Sequence, residues 1–178
     1  MSKKIFIVGA GGHAKVIFDS LLDQGEKVTG FCVRDRRKSL GTMWDQLEVI
    51  EASDLIKATD TRDYIRLVNG VGFTPRSNLH FNLLNKFLSE GFLFLSVRHR
   101  SAVISKSAVC GQGSQVMAGA VLQASAKVGV HSILNTKSSL DHDSVVGAFS
   151  HIAPGATICG ECKIGDRVFV GAGSVIGP

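Results

Sequence analysis

From Ala102 to Pro178 the chain repeats every six residues. One register reads Ile104, Cys110, Val116, Leu122, Val128, Leu134, Leu140, Val146, Ile152, Ile158, Ile164, Val170 and Ile176, aliphatic throughout except for one small, buriable Cys. Two residues earlier in each six stands a small side chain, as in Ala102, Ala108, Ser114, Ala120, Ala126, Ser132, Ser138, Ser144, Ser150, Ala156, Cys162 and Ser174, with Val168 the largest. An α-helix has 3.6 residues per turn and cannot keep one face at a spacing of six. The period is the signature of a parallel β-helix. Each short strand is expected to bury one aliphatic side chain and then turn through Gly, Asn or Asp, with the small register tolerated at the corner. Such a solenoid needs only contacts between neighbouring coils.

Before the repeats, strands and helices alternate. Lys4–Gly9 reads as a buried strand, and His13–Leu22 as a helix with Ala14, Ile17, Phe18 and Leu21 on one side. Further strands are expected at Val28–Val33, Asp45–Ile50, Asp63–Asn69 and Phe92–Val97, with helices around Ser53–Ala58 and Asn78–Glu90. This alternation predicts a small parallel sheet. The expected fold is therefore an α/β N-terminal domain, a Rossmann-like half, over residues 1–100, followed by a parallel β-helix of hexapeptide repeats over 101–178.

The 178 residues carry 20 Lys and Arg against 15 Asp and Glu, a formal charge of +5 that is mostly scattered. A scattered charge without an aromatic stacking platform argues against nucleic acid and suits a phosphorylated small molecule. The tightest basic group is Arg34, Arg36, Arg37 and Lys38, whose plain reading is a solvated loop. The N-terminus runs straight into a strand and does not read as a signal peptide. No apolar run approaches the roughly 20 residues of a membrane span. Cys159-Gly-Glu-Cys162 spells CxxC, but both cysteines sit in repeat positions and no second ligand pair exists, so no metal site is expected.

Two motifs carry chemistry. Gly9-Ala10-Gly11-Gly12-His13-Ala14 lies between strand and helix, where a glycine turn lets a phosphate or carboxylate meet helix N–H groups. It also spells the dinucleotide fingerprint G-x-G-x-x-A. That reading lacks a full doubly wound domain and an acidic residue closing the second strand, where Val33-Arg34 stands. The second motif is Asn135-Thr-Lys-Ser-Ser-Leu-Asp141-His142-Asp143, with His151 beyond it. His142 falls at a corner, facing outward between two carboxylates. A carboxylate on one ring nitrogen would fix the tautomer and leave the other nitrogen to take a proton. The bland alternative is a solvated surface imidazole, and it applies to His151, His80, His99 and His131 as well.

Together the glycine turn, Gly70-Val71-Gly72 and the hexapeptides holding Asn135–Asp143 and Phe149-Ser-His151-Ile-Ala-Pro-Gly resemble the bacterial acetyltransferases of surface-sugar synthesis. These are the N-acetyltransferases of nucleotide-linked 4-amino-4,6-dideoxy sugars, with sialic acid O-acetyltransferases as close relatives. The resemblance covers essentially the whole chain and implies a left-handed β-helix, a cytoplasmic homotrimer and acetyl-CoA as co-substrate, held between neighbouring solenoids. It implies His142 as catalytic base and Asp143 as the acid that raises its basicity, although many relatives have Glu there. It places His151, Gly160 and Ala172 at the acetyl-CoA site, Gly160 through an oxyanion-binding N–H. Gly11, Gly12, His13, Arg34, Asp35, Gly70, Gly72 and Phe73 match nucleotide-sugar contacts. The departure at Val33-Arg34 leaves the base open.

The activity so implied is direct transfer of acetyl to a sugar 4-amino group in bacterial surface-polysaccharide biosynthesis, without an acyl-enzyme. O-acetylation of a sialic acid and a non-catalytic sugar-nucleotide-binding protein are the alternatives. A nucleotidyltransferase or reductase lacks its metal-binding or hydride-transfer parts here. Relatives run on for another coil and a tail beyond the position of Pro178, a region that helps hold CoA, so weak CoA affinity is expected of this chain alone.

Overall fold

The computed structural model describes residues 3–35, 47–73 and 78–178, without the side chains of 59–61. The chain divides into two compact units, Met1–Leu95 and Ser96–Pro178. Arg36, Arg37 and Lys38 of the basic run, and the first residues of the strand expected at 45–50, lie outside the described residues.

The first unit holds β1 (Lys4–Val8), α1 (Gly12–Asp23), β2 (Val28–Val33), β3 (Glu48–Glu51), α2 (Ala52–Lys57), a 3-10 turn (Thr59–Tyr64), β4 (Ile65–Asn69) and α3 (Leu79–Ser89). The four strands are parallel in the order β3-β2-β1-β4. Ile5, Phe6, Ile7 and Val8 are all buried, as are Phe31, Cys32, Leu67 and Val68. Unbroken apolar runs are what parallel strands covered on both faces require. Helix α1 buries Ala14, Ile17 and Leu21, at the i, i+3, i+7 spacing of one helical face, and Phe18 reaches Phe31 at 6.0 Å between ring centroids. The strand expected at Phe92–Val97 does not form as one element. Phe94 makes a single parallel bridge to Leu67, and Val97–Arg98 pairs with Gln115–Val116 in the second unit. An apolar run alone carries no mark of where its partner changes.

The second unit is a left-handed parallel β-helix of two-residue strands, from β5 (Val97–Arg98) to β18 (Val175–Ile176). Each strand pairs in parallel with the third strand on, so that Val103, Val121, Ser139, Thr157 and Val175 climb one face. Three hexapeptides thus make one coil, and residues paired between successive coils are 18 apart. The aliphatic register is the core: Val116, Leu122, Leu134, Leu140, Val146, Ile152 and Ile158 are at most 1% exposed. Burying each contributes about 1.5–3 kcal/mol.

The small register proves to be more than slack at the corners. Ser144 Oγ donates to Cys159 O at 2.6 Å and accepts the Cys162 N–H at 3.0 Å. Ser150 repeats the pattern, donating to Gly165 O at 2.8 Å and accepting the Val168 N–H at 3.0 Å. A buried hydroxyl therefore satisfies two backbone groups of the next coil, which would otherwise be costly to bury.

The corners hold Gly and Asp, as expected, but are not confined to them. Backbone φ is positive at every sixth residue from Gly113 to Gly173, including Ser125, His131, Lys137, Asp143, Phe149, Glu161 and Arg167. Non-glycine residues rarely accept this conformation. A ladder holds it here, with the corner N–H groups from Gly119 onward bonded to the coil below, as in Asp143 to Ala124 O and Glu161 to His142 O, both 3.0 Å. Among the described residues no helix is long and apolar enough to cross a membrane.

Candidate active site

His142 sits in the turn after Leu140, one residue before the left-handed corner at Asp143 (φ 59°). The Asp141 carboxylate accepts the His142 backbone N–H at 2.8 Å and fixes the turn. His142 Nδ1 lies 3.0 Å from Asp143 Oδ2. A carboxylate can only accept, so the proton of the neutral ring is on Nδ1 and the lone pair on Nε2. Both side chains are more than half exposed, at 55% and 58%, so the ring can be reached by a substrate. The Asp143 hydrogen bond raises the imidazole above its ordinary value of 6.5; desolvation, the second-largest influence, opposes it, and the charges of Asp141, Asp143 and Glu161 add to the rise.

Gly160 stands in the next coil beside that ring. A Cβ there would meet His142 Cε1 and Nε2 at 2.6 Å, a separation real side chains do not tolerate. The glycine is what lets the imidazole lie flat against the coil above. Gly160, distant in sequence, thus joins the His142–Asp143 pair in one group.

His151 is held elsewhere, in the strand His151–Ile152, and is buried at 6% exposure. Asn135 Oδ1 accepts the Thr136 N–H at 2.8 Å, which orients the amide and leaves Nδ2 to donate to His151 Nε2 at 3.0 Å. His151 Nε2 is therefore an acceptor, with the ring edge-on to Phe169 at 5.3 Å. Asn135 belonged to the legible motif, but its task was visible only once coils were stacked. Ala172 lies exposed in the turn before β18. Of the other histidines, His131 is buried and stacked on Phe149 at 5.1 Å. Burial pushes its pKa down. His80 is buried too.

In the first unit Gly11 caps α1, and side chains built at Gly11 or Gly12 would meet nothing within 4 Å. These glycines open space before the helix N-terminus rather than relieve a clash. His13 follows in the first turn, with Gly72 against it at 3.6 Å from an added Cβ. Gly70 is fixed by its packing. It is buried, donates to Val8 O at 2.8 Å, and has Ile7 and Ala14 where a Cβ would go. Asn69 Oδ1 accepts the Val71 N–H at 2.9 Å, while Asn69 Nδ2 lies 3.0 Å from His80 Nε2. Phe73 meets His80 edge-on at 6.0 Å. Asn69 and His80 were not singled out for this turn, though an Asn ahead of a glycine turn is a readable signal.

A cavity of about 450 Å³ opens beyond the carboxyl ends of β1 and β2, lined by Val8, Val33, Val71 and Leu83 with Arg34 and Lys86 among its polar groups. Ligands of open parallel sheets bind at this end of the strands. Asp35 follows Arg34, half-buried. Lys86 went unnoticed because nothing in a helix sequence says which cation will face a cavity. Among the described residues no group of three or more His, Cys, Asp or Glu is placed to hold a metal ion. The four cysteines are free, and Cys162 is buried with its thiol toward Gly177 O at 3.1 Å.

Residues 4–73 match the PglD N-terminal domain and residues 143–178 the bacterial transferase hexapeptide repeats. The chain is 23% identical over 164 residues to the GDP-perosamine N-acetyltransferase of Escherichia coli O157:H7, covering 92% of this chain and 64% of that protein's length. It superposes on the acetyltransferase domain of PglB from Neisseria gonorrhoeae with a TM-score of 0.80 and 29% identity, covering 99% of this chain and 92% of that one. That domain is also known in complex with acetyl coenzyme A. A mutant perosamine N-acetyltransferase from Caulobacter crescentus, in complex with CoA and GDP-perosamine, gives a TM-score of 0.81 at 28% identity, over 98% of this chain and 88% of that one.

Proposed function

We propose, from the premise that this chain belongs to the hexapeptide-repeat acetyltransferases with a PglD-type N-terminal domain, that it transfers acetyl from acetyl-CoA to the 4-amino group of a nucleotide-linked 4-amino-4,6-dideoxy sugar. The observation that carries this is the His142 imidazole, paired through Nδ1 with Asp143, packed on Gly160 and more than half exposed. Nε2 takes a proton from the amine as its nitrogen attacks the thioester carbonyl. The Gly160 N–H stabilises the developing oxyanion. The carbon–sulfur bond then breaks, and the proton passes from the imidazolium to the leaving thiolate. No acyl-enzyme is required.

The first unit holds the nucleotide. The open N-terminus of α1 suits the phosphates, with Gly11, Gly12, His13 and Gly72 around it, while Arg34, Asp35 and Phe73 serve the nucleoside. Gly70 acts through packing. Arg34 and Lys86 at the cavity favour a ligand edge that accepts hydrogen bonds. His151 and Ala172 serve acetyl-CoA, His151 with its orientation set by Asn135. The GDP-perosamine carried by a solved relative makes a GDP-linked sugar the first substrate to try. The protein works in the cytoplasm as a homotrimer, in bacterial surface-polysaccharide synthesis, with CoA along the groove between neighbouring solenoids.

The test is turnover of acetyl-CoA with GDP-, UDP- and dTDP-linked 4-aminosugars by the parent and His142→Ala. Loss of the general base should lower the rate by about 10²–10⁴-fold. Equal rates would remove His142 from its role, and a monomer by light scattering would overturn the trimer.

A further inference from the structure

The base has neighbours in two coils. Beneath it lie Ala124 and Ser125, which carry no charge; above it, 18 residues on in register, lie Gly160 and Glu161. Asp143 and Glu161 occupy the same corner of successive coils, with nearly identical left-handed backbones (φ 59° and 60°). The Glu161 N–H donates to the His142 carbonyl at 3.0 Å, and Gly160 before it seats the ring. Gly160-Glu161 is thus the stretch of the next coil that packs on His142.

We propose that Glu161 is a second positioning residue for His142, sharing with Asp143 the stabilisation of the imidazolium formed when the sugar amine gives up its proton. This rests on the acetyl-transfer reading. Among the described residues, Asp141 and Asp143 on the same turn and Glu161 on the coil above are the charged groups that act on the ring, and all three favour its protonated form. The Asp141 carboxylate is committed to the backbone N–H, and Asp143 to Nδ1. Glu161, its backbone hydrogen-bonded to His142 from the coil above, adds the smallest of these charge contributions, offsetting that of the imidazolium during attack. The proton then leaves for the thiolate and the pair returns to its starting state. Because Glu161 is exposed, its effect is screened by salt.

The test is an NMR titration of the His142 imidazole in the parent and in Glu161→Gln, Glu161→Asp and Asp143→Asn, beside the pH profile of kcat/KM. Glu161→Gln should move the His142 midpoint, and with it the acidic limb of kcat/KM, to lower pH, more at low ionic strength than at high. Glu161→Asp, which keeps the charge, should restore most of the shift. An unmoved midpoint in Glu161→Gln, with Asp143→Asn shifting as a positive control, overturns the proposal. The titration needs no turnover, so it is separable from the acetyl-transfer reading, which falls if His142→Ala keeps the parental rate.

Discussion

The His142 ring and the Gly160 backbone are in contact one coil apart, near enough that a Cβ at residue 160 would come within 2.6 Å of Nε2. Gly160→Ala should therefore push the imidazole out of line without unfolding the solenoid. A displacement of about 1 Å in a reacting group costs on the order of 10²-fold in rate. The expected outcome is such a fall in kcat with an unchanged circular dichroism spectrum.

Asp143→Asn removes the largest cause of the raised His142 basicity. An Asn in its place can present either a carbonyl or an amide to Nδ1, so the tautomer is no longer fixed. The acidic limb of kcat/KM should move to lower pH, and the rate at neutral pH should fall. A pH–rate profile identical to the parent's would show that Asp143 does not act on the base.

Ser150→Ala deletes a hydroxyl that serves both the Val168 N–H and Gly165 O. Leaving buried backbone groups unsatisfied costs about 1–3 kcal/mol. Urea denaturation should register a loss of that size, with a similar loss for Ser144→Ala, whose hydroxyl makes the equivalent bonds to Cys159 and Cys162.

His131 is buried against Phe149, and its pKa is lowered from 6.5 by desolvation. The folded state thus binds its proton less readily than the unfolded chain. Stability from this group is complete above pH 6.5 and is lost as pH falls from there through the lower folded-state value. Chemical denaturation across this window should show the loss in the parent and a flatter profile in His131→Phe. Equal slopes would exclude His131 as the source.

The six-residue period by itself determined the solenoid. An aliphatic side chain every sixth residue is compatible with few other backbones, and Leu122, Leu134, Leu140 and Ile158 are buried accordingly. The flanking of His142 by Asp141 and Asp143 was legible too, because the pair is local in the chain. Tertiary structure decided what depends on which residues stack. It set Gly160 on the His142 ring, gave Asn135 to His151, packed Gly70 against Ile7 and Ala14, and aimed Lys86 at a cavity. It also put Lys137, Phe149 and Arg167 into left-handed corners. No local preference favours these residues there; the rungs between coils hold them, and those rungs exist only once the chain has wound past itself.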